Sequence, residues 1–462
     1  MNRISPDEAG VSSRSLSNFF EALDALPFDM HSVIMIRHGK VLLETYYEPY
    51  NKETLHRMFS VTKSFVGIAI GHLAYEKKID LDAPITSYFP EYPTEYEYTK
   101  QTTIRNMLMM RSPHEKTTYK EDLTKNWVES YFTVKSTHTP GTVFSYDTSA
   151  SHVLVALVEK ITGMDLMDYL RGAFLDEIGF SKEAYCLKDP FGTSVGGSGL
   201  MATPMDLAKT ALFVMNGGKH EGKQLTDGVF LEKATSFLSR TDTRGGFVDE
   251  KQGYGMQFWR TRNNGFMFYG IGGQLALCLP DKDFIMVTTA DALGYQGGVQ
   301  SILNIFWRDV YSKLDEPCCC GKYTLEKLLE NRKIMPVRGS ANTFDGEFVF
   351  DENVMGLKNL HVVSDENGGK IDYTNETGSH TLEFKTDGFH SGKFPYYNCD
   401  CITSGAWDGE NILIIKSRLI GEMVGAVTME LYFTSDGVTI SARKTEGTFF
   451  KEFNGITQGR RK

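Results

Sequence analysis

The sequence predicts an α/β domain over about residues 1–330 and a second, all-β domain over about residues 338–457. Segments typical of strands lie near the N-terminus and return after about residue 253, and helical segments fill the chain between them. Beyond residue 338 apolar and polar residues alternate, and turn signals recur. A sheet built from both ends of the first domain, with helices inserted between them, leaves a cleft at their junction.

The composition is typical of a soluble globular protein. Its 462 residues are too many for one ordinary core and favour two or three domains. Apolar residues make up 41% and charged residues 23%, so the chain can bury a large core. The net charge of −10 is spread along the chain without a long Lys/Arg block, so we expect no nucleic acid and no membrane surface as partner. The basic tail Gly459–Lys462 is interpreted as a solvated terminus.

Two features of the sequence bear on where in the cell the protein is expected. No stretch is apolar for long enough to span a bilayer. The N-terminal residues lack the apolar run and the small-residue cleavage site of a secretory signal. We therefore expect a cytoplasmic protein.

Seven cysteines occur, at Cys186, Cys278, the triplet Cys318–Cys320, Cys399 and Cys401. Adjacent cysteines cannot easily converge on one tetrahedral zinc ion. A disulfide framework would need an oxidising compartment. We expect reduced, free thiols and neither a metal nor another cofactor.

The first domain opens with a predicted helix around residues 15–25 and two strands over 31–39 and 40–49, joined at Gly39-Lys40. Residues 60–78 are apolar on most sides and contain no proline, which predicts a buried helix packed on a sheet. A helical insertion is predicted from about 80 to 190. Strands are predicted over 253–260, 264–280 and 283–291, and a helix over 299–311.

A connector leads to the second domain and contains the cysteine triplet, a charged helix over 324–333 and the segment 335–342. Strand alternation and turn signals then predict an antiparallel β domain, either a small closed, lipocalin-like barrel or a sandwich. The segments with strand character are 343–351, 359–375, 379–388, 411–419 and 426–444.

Ser60 and Lys63 form a Ser-x-x-Lys pair at the start of the predicted buried helix. At a spacing of i and i+3 both side chains share one helix face and lie within contact distance. Burial and the positive end of the helix dipole would lower the lysine pKa, so that the amine could activate the hydroxyl. The alternative is that Ser60 caps the helix and Lys63 lies on the surface.

The segment around this pair, residues 58–92, resembles the nucleophile helix of the serine β-lactamase and penicillin-binding protein superfamily. Residues 140–163 are similar to the family's PGT-x-F-x-Y-S-N segment, and residues 103–112 and 195–218 also resemble family segments. The likeness covers nearly all of residues 4–315. It is greatest to the branch that contains class C β-lactamases, esterases and amidases, and it implies a β-lactamase-like antiparallel sheet flanked by helices.

The resemblance places Tyr146 at the family's catalytic tyrosine. A phenol held near a serine oxygen and an ammonium can be partly ionised, and could take the serine proton and return it to the leaving group. The alternative is a core tyrosine held by its hydroxyl. The resemblance implies that Thr148 is a substrate-binding residue, at a position where many members have Asn, although its hydroxyl lacks the paired donor and acceptor of an amide.

A third family element is a strand opposite the serine, which we align with Phe268-Tyr269-Gly270 and the following Ile271-Gly272-Gly273-Gln274. The resemblance implies that the backbone N–H groups of Ser60 and Ile271 form the oxyanion hole. Glycines at 270 and 272 would let a substrate approach the strand closely. An ordinary hairpin turn is the alternative.

The resemblance implies a serine hydrolase that forms an acyl-enzyme on Ser60, with an ester or amide of a small molecule or peptide as its partner. An acyltransferase that uses the same intermediate and a non-catalytic ligand-binding homologue stay open. Penicillins carry a carboxylate that many members hold near a Lys at the position aligned with Phe268, so slow β-lactam hydrolysis is expected. His56 is interpreted as a pocket or packing residue. His114 and His138 are interpreted as residues of solvated turns, with a substrate-contacting loop as the alternative.

Overall fold

The computed structural model of the protein describes residues 1–243, 246–316, 322–445 and 453–462. The described chain divides into two compact units. The first unit comprises Met1–Ala290 and Gly297–Arg332, and the second comprises Asp291–Gln296 and Lys333–Lys462.

The first unit contains both helices and strands. Its helices are α1 Ser13–Asp24, α2 Val61–Tyr75, α3 Glu97–Lys100, α4 Ile104–Leu108, α5 Trp127–Thr133, α6 Thr148–Thr162, α7 Leu166–Leu170, α8 Pro204–Met215, α9 Gly228–Ala234, α10 Gly298–Asp309 and α11 Lys322–Leu329. Its strands are β1 Asp29–Arg37, β2 Lys40–Tyr46, β3 His56–Arg57, β4 Tyr185–Cys186, β5 Leu200–Ala202, β6 Lys219–His220, β7 Lys223–Gln224, β8 Trp259–Arg260, β9 Phe266–Gly270, β10 Gln274–Leu279 and β11 Phe284–Asp291.

One sheet combines strands from both ends of this unit, in the order β2-β1-β11-β10-β9-β8. Antiparallel pairing joins β2 to β1 and links β11, β10, β9 and β8 in series. The chain between β2 and β8 contributes α2 to α9. The predicted α/β architecture with a helical insertion is confirmed.

The first hairpin forms as predicted, although its turn begins one residue earlier than expected. Arg37 pairs with Lys40, and the turn residues His38 and Gly39 have φ values of 52° and 69°. Two consecutive positive φ values are typical of the type I′ turn, whose twist matches that of the flanking strands.

Helix α2 is buried along most of its length and belongs to the main apolar core. The ring of Phe230 fills the space beside Gly71. A Cβ at residue 71 would lie 2.2 Å from the ring edge, so α2 needs glycine there. Helices α4, α5 and α6 contribute Leu108, Phe132 and Leu154 to the same core. The core therefore holds the predicted nucleophile helix between the sheet and the insertion.

The strand predicted over 253–260 is wrong for most of its length, because only Trp259–Arg260 pairs in the sheet. Gln257 has φ 66°, which breaks an extended run. A Cβ on Gly255 would lie 1.9 Å from the Ala234 carbonyl oxygen, so this segment packs closely on the end of α9. This segment therefore packs closely on its neighbours instead of pairing as a strand of the sheet.

The second unit is built from strands β12 to β21. They are β12 Phe344–Phe350, β13 Asn359–Ser364, β14 Gly368–Asn375, β15 Gly378–Lys385, β16 His390–Lys393, β17 Asp400–Asp408, β18 Ile412–Leu419, β19 Gly425–Phe433, β20 Gly437–Lys444 and β21 Gly455–Arg461. Most of these strands pair antiparallel with the next strand in the chain, and β21 pairs with β12. A parallel contact between β15 and β17 closes a barrel of nine strands. Strand β16 pairs with β17 but is not part of the barrel. An odd number of strands in a closed meander requires one parallel pair.

The barrel interior is filled with apolar side chains, among them Phe348, Trp407 and Phe433. A cavity of about 20 Å³ lies beside Tyr373 and Met429, which is space on the scale of one water molecule. The barrel of the lipocalin-like prediction is confirmed, and its described core is packed by side chains.

The basic tail is not simply a solvated terminus, because its backbone pairs with neighbouring strands. Residues 455–461 form β21, in which Gly459 pairs with both Phe350 and Val438. A Cβ on Gly459 would lie 2.7 Å from the Phe350 ring. The side chains of Arg460 and Arg461 are exposed, and this polar exterior concealed the strand in the sequence.

Cys186, Cys278, Cys399 and Cys401 are free thiols, as expected. The triplet Cys318–Cys320 lies outside the described residues. Within the described ranges, no helix has both the length and the apolar character that crossing a membrane requires.

Candidate active site

Ser60 lies where the chain turns from β3 into α2. The Met58 N–H donates to the Leu200 carbonyl at 2.8 Å, so the pairing of β3 with β5 continues almost to the serine. Phe59 then has φ 45°, an uncommon backbone conformation for a residue with a side chain. Ser60 occupies the N-cap position of α2 without a side-chain capping hydrogen bond. Its hydroxyl is directed to a different partner.

That partner is Lys63. The Lys63 Nζ donates to Ser60 Oγ at 2.9 Å and to the Gly197 carbonyl at 2.8 Å. The lysine is 1% exposed. The alternative in which Ser60 caps the helix and Lys63 lies on the surface is therefore wrong.

Burial determines the protonation of Lys63, because a charged ammonium loses its hydration in the core. The pKa of Lys63 is lowered to about 7, chiefly by burial; the negative charge of Asp147 opposes this shift, and the nearby charge of Lys120 adds to it. Near neutral pH a large fraction of Lys63 is uncharged. An uncharged amine at hydrogen-bond distance can accept the Ser60 proton.

Tyr146 lies beside the same pair. The Lys63 Nζ is 5.0 Å from the centroid of the Tyr146 ring. The ring also contacts Tyr254 and Trp259, with centroids 6.2 Å and 5.4 Å away. The structure thus brings Ser60, Lys63 and Tyr146 together, and an aromatic cluster holds the tyrosine in place.

The expected partial ionisation of Tyr146 is wrong. Burial raises the pKa of Tyr146 to about 12, and the charge of Glu250 also raises it, while the interactions with the Ser60 hydroxyl and the Trp259 indole lower it. Tyr146 is therefore a protonated phenol near pH 7. In this geometry an uncharged Lys63 amine could accept a proton, and the Tyr146 phenol could donate one.

Asp147 is a residue of the site that the sequence argument missed. It is fully buried and caps α6 by accepting from the Ser149 N–H at 2.9 Å. The Ser112 hydroxyl donates to it at 2.8 Å. Burial raises the pKa of Asp147 to about 6. Its position directly before the helix Thr148–Thr162 is typical of an N-cap, which is the signal that could have indicated it.

Gln257 was also missed. Its Oε1 accepts from the Ser151 hydroxyl at 2.7 Å, its Nε2 donates to the Leu108 carbonyl at 3.0 Å, and its own carbonyl accepts from the Ser64 hydroxyl at 2.7 Å. One buried amide therefore joins α2, α4 and α6 beneath the site. A single polar residue between apolar neighbours carries no specific sequence signal for this role.

Thr148, the predicted substrate-binding residue, packs against the segment that holds Lys63. A Cβ on Gly197 would lie 2.1 Å from the Thr148 Cγ2, so only glycine fits at 197 against this side chain. The Gly197 carbonyl is the second acceptor of Lys63. Thr148 therefore adjoins the Lys63 acceptor.

The end of β9 lies against the nucleophile segment, where the third element was predicted. A Cβ on Gly270 would lie 2.5 Å from the Met58 carbonyl oxygen. Gly272 has φ 78° in the following turn, and Ile271 is 50% exposed. Gln274 fixes this turn, since its Nε2 donates to the carbonyl of Ile271 at 3.1 Å. The turn connects β9 to β10, which pair antiparallel in unbroken register from Gly270 opposite Gln274, so the hairpin considered as the alternative is present and adjoins the nucleophile segment.

Phe268 does not form a wall of the cleft, in contrast to our expectation. It is fully buried and contacts the rings of Phe65 and Phe258 at 6.3 Å and 5.0 Å. Successive residues of a strand point to opposite faces, so Tyr269 faces away from this core. Tyr269 contacts Trp259, with ring centroids 5.9 Å apart.

The histidines lie outside the catalytic group. His56 stacks on His31 at 5.5 Å, and burial lowers the pKa of His56 to about 3, as suits a packing residue. The solvated-turn interpretation of His114 is wrong, because it is buried with its Nε2 3.0 Å from the Tyr131 carbonyl. His138 is partly buried, and its Nδ1 is 2.8 Å from a threonine hydroxyl.

A family model described as Beta-lactamase matches residues 29–300. These residues contain the whole group around Ser60. A 6-aminohexanoate-dimer hydrolase of Paenarthrobacter ureafaciens is 24% identical over 277 residues, which are 55% of this chain and 70% of that protein.

Solved structures share the fold. A penicillin-binding protein homologue from Caulobacter crescentus has a TM-score of 0.53 and 14% identity, and the match covers 67% of this chain and 99% of that one. EstCE1, described as a hydrolase with promiscuous acyltransferase activity, has a TM-score of 0.52 and 15% identity, with 64% and 99% covered.

Proposed function

This chain belongs to the beta-lactamase family, and from that premise we propose that it is a serine hydrolase that acts through a Ser60 acyl-enzyme. The substrate is an ester or amide of a small molecule or peptide. The similarity to the 6-aminohexanoate-dimer hydrolase and to the hydrolase EstCE1 supports hydrolysis of a bond of this class.

One observation carries the proposal. A lysine that is 1% exposed, with its pKa lowered to about 7, donates to the hydroxyl of Ser60 at 2.9 Å. A nucleophilic serine needs an adjacent base that is uncharged at the working pH. A purely structural lysine would be expected to remain charged and to face solvent or an acidic partner.

The proposed reaction divides the proton transfers between two residues. Uncharged Lys63 takes the Ser60 proton as Oγ forms a bond to the carbonyl carbon. Tyr146 donates its proton to the leaving oxygen or nitrogen as that bond breaks, and the Lys63 ammonium reprotonates Tyr146. Water then attacks the acyl-enzyme and gives a proton to Lys63, and the Lys63 ammonium returns that proton to Ser60 Oγ as the bond between Oγ and the acyl carbon breaks. The Ser60 and Ile271 N–H groups are the proposed oxyanion donors.

Replacement of Ser60 tests the proposal. We expect Ser60→Ala to lower kcat/KM for a p-nitrophenyl ester by about 10⁴-fold or more. A fluorophosphonate probe should label the wild type at Ser60 and leave the variant unlabelled, while circular dichroism reports an unchanged fold.

Three results would contradict or redirect the proposal. Turnover by Ser60→Ala close to that of the wild type would show that another residue is the nucleophile. A wild type that binds esters without labelling or turnover would be a ligand-binding homologue. Acyl transfer to an added alcohol or amine in preference to water would identify an acyltransferase that uses the same acyl-enzyme.

A further inference from the structure

We propose that Glu250, Tyr269 and Trp259 form a subsite for a cationic group, so that the preferred ester or amide carries an ammonium or a trimethylammonium group. This inference rests on the proposed serine hydrolase function and specifies the substrate class of that site. The three residues are called the cation subsite below.

Glu250 is held in a defined position. The Tyr269 hydroxyl donates to its Oε1 at 2.6 Å, and the Phe247 N–H donates to its Oε2 at 2.9 Å. The carboxylate is partly buried. Each carboxylate oxygen has a further lone pair for a ligand, so these two hydrogen bonds orient the group without using its full capacity.

The cation subsite is continuous with the catalytic group. The Trp259 ring contacts both other aromatic rings, with its centroid 5.4 Å from that of Tyr146 and 5.9 Å from that of Tyr269. Tyr146 in turn lies beside Lys63. The charge of Glu250 is close enough to raise the pKa of Tyr146. A substrate acylating Ser60 would therefore have part of its structure along this wall.

The charge of Glu250 is not balanced by a cation within the part of the chain that the structure describes. The neighbouring Asp249 provides the contrast, because the Arg262 guanidinium pairs with it at 2.8 Å. Among the described residues, no lysine or arginine makes an ion pair with Glu250. A carboxylate that accepts from the Tyr269 hydroxyl, with the Trp259 ring next to that tyrosine, attracts a cation and repels an anion.

A purely structural role is the competing explanation, in which Glu250 only orders the segment around Phe247. That role predicts no dependence of the rate on the charge of the substrate. The cation subsite predicts a dependence that changes sign when the charge of residue 250 is inverted.

Matched esters provide the test. One set contains p-nitrophenyl trimethylammoniobutyrate, its isostere with a tert-butyl group in place of trimethylammonium, and p-nitrophenyl sulfobutyrate. A second pair, acetylthiocholine and its tert-butyl isostere, places the cation on the leaving group. In at least one set we expect the wild type to prefer the cation over its neutral isostere by about tenfold in kcat/KM.

Two variants and one control decide the role of Glu250. In Glu250→Gln the ratio of cationic to neutral ester should fall to about one, and in Glu250→Lys the sulfobutyrate should become the preferred ester. Asp242→Asn removes an exposed carboxylate, paired with Arg240, from the same region and should keep the preference. Fluorophosphonate labelling of Ser60 checks that each variant is folded.

Equal rates for cationic and neutral esters in the wild type, or a preference that survives in Glu250→Gln, would overturn the cation subsite while leaving the hydrolase intact. A binding measurement separates the two proposals. Calorimetric titration with phenyltrimethylammonium should give an affinity that falls about tenfold in Glu250→Gln, even if no ester is hydrolysed. Equal affinity for benzenesulfonate, or no effect of the substitution, would overturn the subsite.

Discussion

Lys63 and Tyr146 have different protonation states because their surroundings act on charges of opposite sign. Burial disfavours the charged form of each group, so it lowers the pKa of the amine to about 7 and raises the pKa of the phenol to about 12. At neutral pH an uncharged amine and a protonated phenol can coexist beside Ser60. In the proposed reaction, Lys63 accepts a proton and Tyr146 donates one.

The pH dependence of turnover follows from Lys63. Only its uncharged form is a base, so kcat/KM should rise with pH and have its midpoint near the Lys63 pKa of about 7. The Asp147 carboxylate stabilises the ammonium and raises this pKa. Asp147→Asn should therefore shift the rising limb to lower pH, measured as a kcat/KM profile.

Glu121→Gln is the control, since Glu121 is an exposed carboxylate of the same helical insertion. Its profile should match that of the wild type. A rising limb that stays in place in Asp147→Asn would show that Lys63 is not the titrating base, or that its charge is insensitive to this carboxylate.

β-Lactams should be poor substrates, for a reason that differs from the one based on sequence. Phe268 is buried and cannot contact a ligand, whereas Tyr269 and the negative charge of Glu250 lie on the side of Trp259. A penicillin or cephalosporin carboxylate would meet like charge. Each missing hydrogen bond to a charged group costs about 1.5–3 kcal/mol, which is one to two decades in kcat/KM.

The test measures kcat/KM for nitrocefin and for a neutral p-nitrophenyl ester on one preparation. We expect the value for the ester to be at least tenfold higher. The ratio of kcat/KM for the ester to kcat/KM for nitrocefin should be smaller in Glu250→Gln than in the wild type. Nitrocefin hydrolysed as fast as the ester by the wild type would contradict this prediction.

At the scale of elements, the end of β9 and the start of α2 meet at a glycine. A Cβ at residue 270 would lie 2.5 Å from the Met58 carbonyl, so Gly270→Ala must push the strand away from the nucleophile segment. We expect a loss of about 1–3 kcal/mol in the free energy of unfolding and at least a tenfold fall in kcat/KM.

Gly172→Ala is the matched control, because a Cβ at that position meets no atom within 4 Å. It should leave turnover unchanged and alter the free energy of unfolding by no more than about 1 kcal/mol. Denaturant unfolding and ester kinetics measure both effects. An active Gly270→Ala protein would show that the close approach of β9 is not needed for catalysis.

At the scale of the whole molecule, the residues around Ser60 and those of the barrel core belong to different units. The fragment 333–462 closes its own barrel around its own apolar core, so it should unfold cooperatively when produced alone. The fragment 1–332 should hydrolyse p-nitrophenyl acetate within a few-fold of the full chain.

Circular dichroism on the barrel fragment and ester kinetics on the first fragment provide the measurements. The ratio of long-chain to short-chain ester hydrolysis, compared with that of the full chain, tests our hypothesis that the barrel alters selectivity for larger acyl groups. An unchanged ratio would show that the barrel has no part in substrate choice. An inactive but folded first fragment would show that catalysis needs the second unit.

Local patterns account for the parts of the fold and site that the sequence predicted. Ser60 and Lys63 are three residues apart on a helix, so their contact depends only on helical geometry. Alternation predicted most barrel strands. It missed β16, β17 and β21. The polar, glycine-containing sequence of β21 pairs because the strands on both sides of it are present.

By itself the sequence determined the family, the two kinds of domain and the serine–lysine pair, because each follows from residues close together in the chain. Only the tertiary structure decided that the pKa of Lys63 falls to about 7, that Tyr146 stays protonated, and that Phe268 lies in the core while Tyr269 donates to Glu250. Burial and charge at a site are set by residues far apart in the sequence, and folding alone brings them together.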